Sequence, residues 1–156
     1  MLPRVSGLLS NGDHKAVNKM HELSFLIYNL VIFPIIAGLL IVNKDFVSFF
    51  LGKDFQEAYL AIAIMVFRMF FIGWTNIMGI QILIPHNKHR EFMLSTTIPA
   101  VVSVGLNLLL IPPFGFVGAS IVSVLTEALV WVIQLNFSRI FIKDVSILPA
   151  MSKNLS

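Results

Sequence analysis

Four segments of this chain, Ser24–Val42, Tyr59–Ile84, Phe92–Ile111 and Phe116–Phe137, each run for 19 or more residues with at most one charged side chain. A helix needs about 20 predominantly apolar residues to cross about 30 Å of hydrocarbon. Nothing else in the sequence restricts the fold as tightly. Composition agrees: 57% of the 156 residues are hydrophobic and 12% charged, with a mean hydropathy of +0.88. A soluble domain is roughly 25% charged, so the chain lacks the polar material to cover a surface in water. The expectation is an all-α membrane protein with four spans, and Pro34 and Pro99 inside two of them are tolerable where a neighbour satisfies the freed carbonyl. The first apolar run starts only near Ser24 and is too long for the core of a secretory signal.

The connections divide by charge. Arg4, Lys15, Lys19, Lys88, Arg90, Arg139, Lys143 and Lys153 fall on one side, Lys44 and Lys53 on the other, and Arg68 lies within a span. The positive-inside rule then places both termini in the cytoplasm. On this reading 1–23 is a cytoplasmic amphipathic lead-in, 24–137 a four-helix transmembrane bundle and 138–156 a cytoplasmic tail. Asn11-Gly12 is a turn signal, and Asp13 can cap the helix that leads into the first span. Pro112-Pro113 and Gly115 predict a tight extracytoplasmic turn, the prolines stopping the third span and the glycine permitting reversal. Spans three and four then form an antiparallel hairpin. Gly73 or Gly79 could bend the long second span. His86 and His89 have a metal-like spacing but no further ligand near them, which favours a solvated turn.

Two charges sit inside spans, Arg68 in the second and Glu127 in the fourth. A charge at mid-helix costs about 2.5–3.5 kcal/mol on insertion scales, so such residues normally face a bundle interior or a wet cavity. Helical spacing can be checked against that. Arg68, Ile72, Thr75, Asn76 and Gly79 share a face of span two; Ser95, Pro99, Ser103 and Asn107 recur every four residues in span three. Ser120, Ser123, Glu127 and Gln134 share a face of span four, while Asn29, Pro34 and Gly38 of span one align only loosely. The candidate transport cavity is therefore Arg68, Glu127, Asn107 and Asn76. Small and hydroxylated residues also line ordinary helix contacts, Arg68 has a stem long enough to snorkel toward an interface, and Asn107 suits helix contact as well as cavity lining. Glu127 is too short to reach water alone from mid-span.

Several chemistries are excluded or unsupported. There is no cysteine, hence no disulfide, thiolate metal site or cysteine nucleophile. No P-loop, paired carboxylates or Ser/His/Asp grouping suggests an enzyme or an ATP-driven mechanism, and no cofactor is implied. The basic excess is not a patch interleaved with exposed aromatics, so nucleic acid is not an expected partner.

The order of "LPRVSGLLSNGD" (2–13), "FPIIAGLLIV" (33–42), "FLGKDFQEAYLAIAIM" (50–65) and "NLLLIPPFGFVGASIVSVLTE" (107–127) resembles the C-terminal half of bacterial polysaccharide repeat-unit flippases (O-antigen and capsule). These belong to the multidrug/oligosaccharidyl-lipid/polysaccharide exporter superfamily. Leu51-Gly52 with Phe55 and Ala58 carries the likeness, as does the string Asn107, Ile111-Pro112, Gly115, Gly118-Ala119 and Glu127. "GIQILIPHNKHREF" (79–92) fits the family's cytoplasmic turn, with His86 where a small residue is more usual; Pro113 is a second departure. The resemblance implies part of a MATE-like helical bundle in the bacterial cytoplasmic membrane. It also implies a central cationic cavity and a lipid-linked oligosaccharide, carried on undecaprenyl diphosphate, as substrate. By that likeness the chain is a fragment, completed by a missing N-terminal half or a second copy among the membrane lipids. A drug or peptidoglycan-precursor exporter, a scaffold and an inactive remnant are the other readings.

Overall fold

The computed structural model describes residues 2–50, 52 and 58–142. Leu51 and Phe55, and the tail from 143 onward, lie outside the described residues. Those described are helices and turns, so the protein is an all-α membrane protein.

A short helix, α1 (Leu2–Ser10), ends in the Asn11-Gly12 turn, where Gly12 takes φ 72°. The Asp13 carboxylate then accepts the Ala16 N–H at 3.0 Å and caps α2 (His14–Phe50). This satisfies one of the donors that every helix start leaves open. At 37 residues, α2 is about 55 Å long, well beyond the hydrocarbon thickness. It overhangs the expected 24–42 span at both ends. Its overhangs are not loose: Val17 and His21 at the near end, and Asn43 and Val47 at the far end, are buried. The lead-in thus contains a short helix packed on the body, with Val5 fully covered.

The second span is α3 (Ala58–Asn76), which widens into a π-helical stretch over Ile77–Leu83. Of the two glycines expected to bend this span, Gly79 lies inside the π-helical stretch and Gly73 within α3. Pro85, just beyond the π-helical stretch, leaves one of its carbonyls without the usual helical partner. In an α-helix the Gln81 carbonyl would accept from residue 85, and proline has no N–H to give. The carbonyl is taken up instead by His21 Nε2 at 3.1 Å, while Ser24 Oγ donates to the Gln81 side-chain oxygen at 3.0 Å. Two residues of α2 therefore grip one residue of the π-turn. Replacing His21 by Ala leaves a buried carbonyl unpaired and is expected to cost about 1–3 kcal/mol, read as a lower unfolding temperature in detergent.

The last element, α4 (His89–Ile142), contains spans three and four in one helical run broken at Gly115 (φ 54°, ψ −131°). Among the described residues, three helical elements are long and apolar enough to cross a membrane, and the third does so with the chain reversed at its middle. Gln134 Nε2 donates to Ser95 Oγ at 3.2 Å, although 39 residues of straight helix would set them about 58 Å apart. The hairpin is thus as expected, but its turn differs: Pro112 and Pro113 stand within the helical run, and the reversal is at Gly115 alone.

Packing places α3 in the middle, against α2 on one side and the α4 hairpin on the other. Phe25, Trp74, Ile77, Met78 and Ile82 form the core, with Tyr28, Phe70, Trp131, Leu135 and Phe141 against it. The outer faces carry Leu30, Ile41, Phe49, Val101, Leu108 and Leu109, all more than half exposed. Apolar surface of this extent suits lipid or further helices, not water.

Candidate transport groove

Arg68 and Glu127 meet. Arg68 Nη2 lies 3.0 Å from Glu127 Oε1, and Nε lies 3.4 Å from the same oxygen. The geometry follows from two helix registers. Arg68 is ten residues into α3 and Glu127 twelve residues past Gly115, which sets both about 15–18 Å from the same end of the body. Antiparallel packing of α3 against span four brings the side chains to one depth. Their side chains are 37% and 19% exposed, so the pair is accessible from one side.

That side is a groove of about 500 Å³. From α3 it takes Arg68, Ile72, Thr75 and Asn76, with Ile80 from the π-turn. Span three gives Phe92, Thr96, Ala100 and Ser103; span four gives Thr126, Glu127, Val130 and Gln134. Asn76 is exposed to it while its Nδ2 is held by the Ile72 carbonyl at 2.9 Å. The wall is mostly apolar, and its polar groups are an ion pair, two amides and four hydroxyls.

Three of the four cavity candidates thus fall together, and one does not. Asn107 is absent from the lining, and its Nδ2 donates to the Ser103 carbonyl of its own helix at 2.8 Å. Of the expected stripe of span three, only Ser103 lines the groove. Ser95 and Pro99 are fully buried in the hairpin contact, whereas Thr96 and Ala100 face the groove. Ser120 is buried too, its hydroxyl returned to the Phe116 carbonyl at 2.9 Å. Span one contributes nothing to the groove. Its Asn29 accepts the Trp74 indole N–H at 3.1 Å on the opposite side of α3.

The turn at 84–88 closes on itself. His86 Nδ1 lies 2.7 Å from the Ile82 carbonyl, and its ring stacks on Phe141 with centroids 4.2 Å apart. Lys88 binds Glu91 at 2.9 Å, and this hydrogen bond holds the partly exposed Glu91 carboxyl below its usual range. Lys15, Lys19, Lys88, Arg90 and Arg139 all lie toward the end of the body marked by this turn, hereafter the basic end.

In sequence the chain is 29% identical over 147 residues to the protein named "Putative O-antigen transporter" of Escherichia coli (strain K12). The match covers 88% of this chain and 33% of that protein, so the chain spans about a third of its relative's length. No protein-family model matches, and neither does any solved structure.

Proposed function

We propose that these helices are part of a flippase that moves undecaprenyl-diphosphate-linked oligosaccharide repeat units across the bacterial cytoplasmic membrane, with the basic end and both termini in the cytoplasm. The likeness to a protein named for O-antigen transport supports the transport class. The observation that carries the reading is the Arg68–Glu127 pair, held at mid-depth in a groove between three helices. A carboxylate and a guanidinium in hydrocarbon are costly, and positions of this kind commonly mark substrate or ion pathways. Both Arg68 contacts go to one carboxylate oxygen. The guanidinium retains donors for a second anion, and a diphosphate matches its fork. Glu127 releases or recaptures Arg68 as the substrate arrives and leaves, or holds a coupling cation in its place.

The groove is open on one side, so the complete pathway needs more protein, from a further N-terminal half or a second copy of this chain. Lipid-linked oligosaccharide and membrane lipids are the partners; the chemistry of the groove is binding and release, not catalysis. The test is complementation of a flippase-deficient strain by this chain alone and with a co-expressed N-terminal half. Rescue only in the second case supports a split transporter, and no rescue in either argues against the assignment. Within a rescuing pair, Arg68→Ala is expected to abolish surface polysaccharide while Arg68→Lys retains part of it, because lysine keeps the charge but loses the fork. Equal tolerance of both rejects a charge role for Arg68.

A further inference from the structure

The four hydroxyls of the groove share a bonding pattern that the ion pair does not explain. Thr75 is bonded to the Ile72 carbonyl at 2.9 Å and Thr96 to the Met93 carbonyl at 2.9 Å. Ser103 is bonded to the Ala100 carbonyl at 2.9 Å and Thr126 to the Val122 carbonyl at 2.7 Å. A carbonyl oxygen only accepts, so in every case the hydroxyl hydrogen is spent on the side chain's own helix. Asn76 does the same with its Nδ2, which meets the Ile72 carbonyl at 2.9 Å, and this partner fixes Oδ1 as the other end of the amide.

What these side chains keep for a ligand is lone pairs. Thr96 and Asn76 are exposed, Ser103 and Thr126 half-buried, and Thr75 is buried. Both Arg68 bonds end on Glu127 Oε1, which leaves Oε2 as a further acceptor. Donors on the wall reduce to the unused hydrogens of Arg68 and one amide hydrogen of Asn76, since Gln134 is 1% exposed. The acceptors stand at two depths. Ser103 is twelve residues before Gly115 and Glu127 twelve after it, so Ser103, Thr126 and the ion pair are about level. Thr96 is seven residues from Ser103 and Asn76 eight from Arg68, which sets both about 10–12 Å nearer the basic end.

We propose that Thr96, Ser103, Thr126 and Asn76 form a specificity surface that accepts hydrogen bonds from an uncharged, donor-rich head, the hydroxyls of a neutral sugar, and discriminates against acidic sugars. The sugar as occupant rests on the flippase reading; the acceptor character of the wall does not. To bind a carboxylate, each hydroxyl must first break its bond to the helix and turn, and the acid competes with Glu127 for Arg68. A sugar hydroxyl needs no such rearrangement, because it donates to a lone pair already presented. Arg68 then serves the diphosphate, and the acceptors on the basic side of it serve the sugar. A site built to bond a ligand hydroxyl rejects an analogue that lacks it.

The test uses the chain in a polyoxyethylene detergent, whose ether head brings no array of hydroxyls. Three probes are added: octyl β-glucoside, its tetra-O-methyl ether, which keeps the oxygens and loses the donors, and octyl β-glucuronide, which adds a carboxylate. A ligand of the folded protein raises its unfolding temperature with concentration. Shifts are read against a Thr96→Val/Ser103→Ala double variant, so that effects of a probe on the micelle cancel. The glucoside should bind at least about tenfold more tightly than either analogue, as several hydrogen bonds together require. Thr96→Val and Ser103→Ala should each weaken it about two- to tenfold, while Thr96→Ser, which keeps the hydroxyl, should stay within about twofold. Equal binding of the methyl ether or of the glucuronide overturns the proposal, as does a glucoside that fails to bind. A shift produced by sodium chloride over choline chloride, and lost in the double variant, would make the same oxygens a cation site and overturn it too. Glucoside selectivity without rescue of export leaves the specificity surface standing and removes the flippase reading; rescue without selectivity does the reverse.

Discussion

Replacing Glu127 by Leu is expected to cost more than replacing Glu127 and Arg68 together by Leu. The single change leaves a guanidinium at mid-depth with no counter-charge, and a lone arginine there costs about 2.5–3.5 kcal/mol on insertion scales. The double change removes both charges and leaves apolar side chains where helices and lipid already tolerate them. Breaking a buried pair by removing one partner is strongly destabilising, whereas replacing the whole pair by apolar residues is often neutral or better. If water reached this pair freely, it would be worth only about 0–1 kcal/mol and both variants would behave alike. The measurement is the yield and unfolding temperature of each variant in detergent, with Arg68→Leu as the third corner of the cycle. The order expected is double variant near wild type, Arg68→Leu lower, Glu127→Leu lowest. On the proposed reading, export by a rescuing pair should fail in all three. A double variant that is stable and inactive separates a functional pair from a structural one. A Glu127→Leu protein as stable as wild type would mean that Arg68 finds water by itself, as a snorkelling side chain does.

How much of this was legible beforehand depends on how many helices a feature involves. Span existence, the Asp13 cap and the Gly12 turn follow from local rules that one stretch of sequence obeys alone. Charge scarcity even singled out Arg68 and Glu127, because in lipid a lone charge stands out against its own helix. Features that need a neighbour were not legible. In span three, Ser95/Pro99 and Thr96/Ala100 are stripes one residue apart, and both repeat every four residues. Which one faces the groove is decided by where span four packs, through Gln134 on Ser95. Asn107 reads as polar from the sequence, yet its amide is satisfied one turn back. Pro85 removes the N–H that the Gln81 carbonyl would otherwise accept, and the group that compensates, His21, lies sixty residues before Gln81. The overhangs of α2 are written in burial rather than hydropathy, since Asn43 is covered by donating to the Tyr59 carbonyl at 2.7 Å.

The second large effect is expected at Gly118. A Cβ there would lie 2.2 Å from the Leu110 carbonyl oxygen and 2.8 Å from its carbon. Both are backbone atoms, so no side chain can turn aside to make room, and the hairpin itself must open. Gly73 offers a useful contrast. Its added Cβ would strike the Tyr28 ring, the far end of a side chain that can rotate away once its bonds to the Met69 and Phe70 carbonyls are given up. Overpacking typically costs about 1–3 kcal/mol and occasionally more, and Gly118→Val should exceed Gly118→Ala at the upper end of that range. Gly38→Ala and Gly105→Ala meet nothing within 4 Å. They should instead be neutral or stabilising by about 0.5–1 kcal/mol through the helix preference of alanine. The consequence at the groove follows from leverage. Gly118 is nine residues from Glu127, about 14 Å along the helix, so a splayed hairpin carries Glu127 away from Arg68 and pulls Gln134 from Ser95. Gly118→Val should therefore lower the unfolding temperature and, on the proposed reading, abolish export by a rescuing pair as well. A Gly118→Val protein with full export would show that the groove tolerates an open hairpin, and the close approach at Leu110 would then have no bearing on transport.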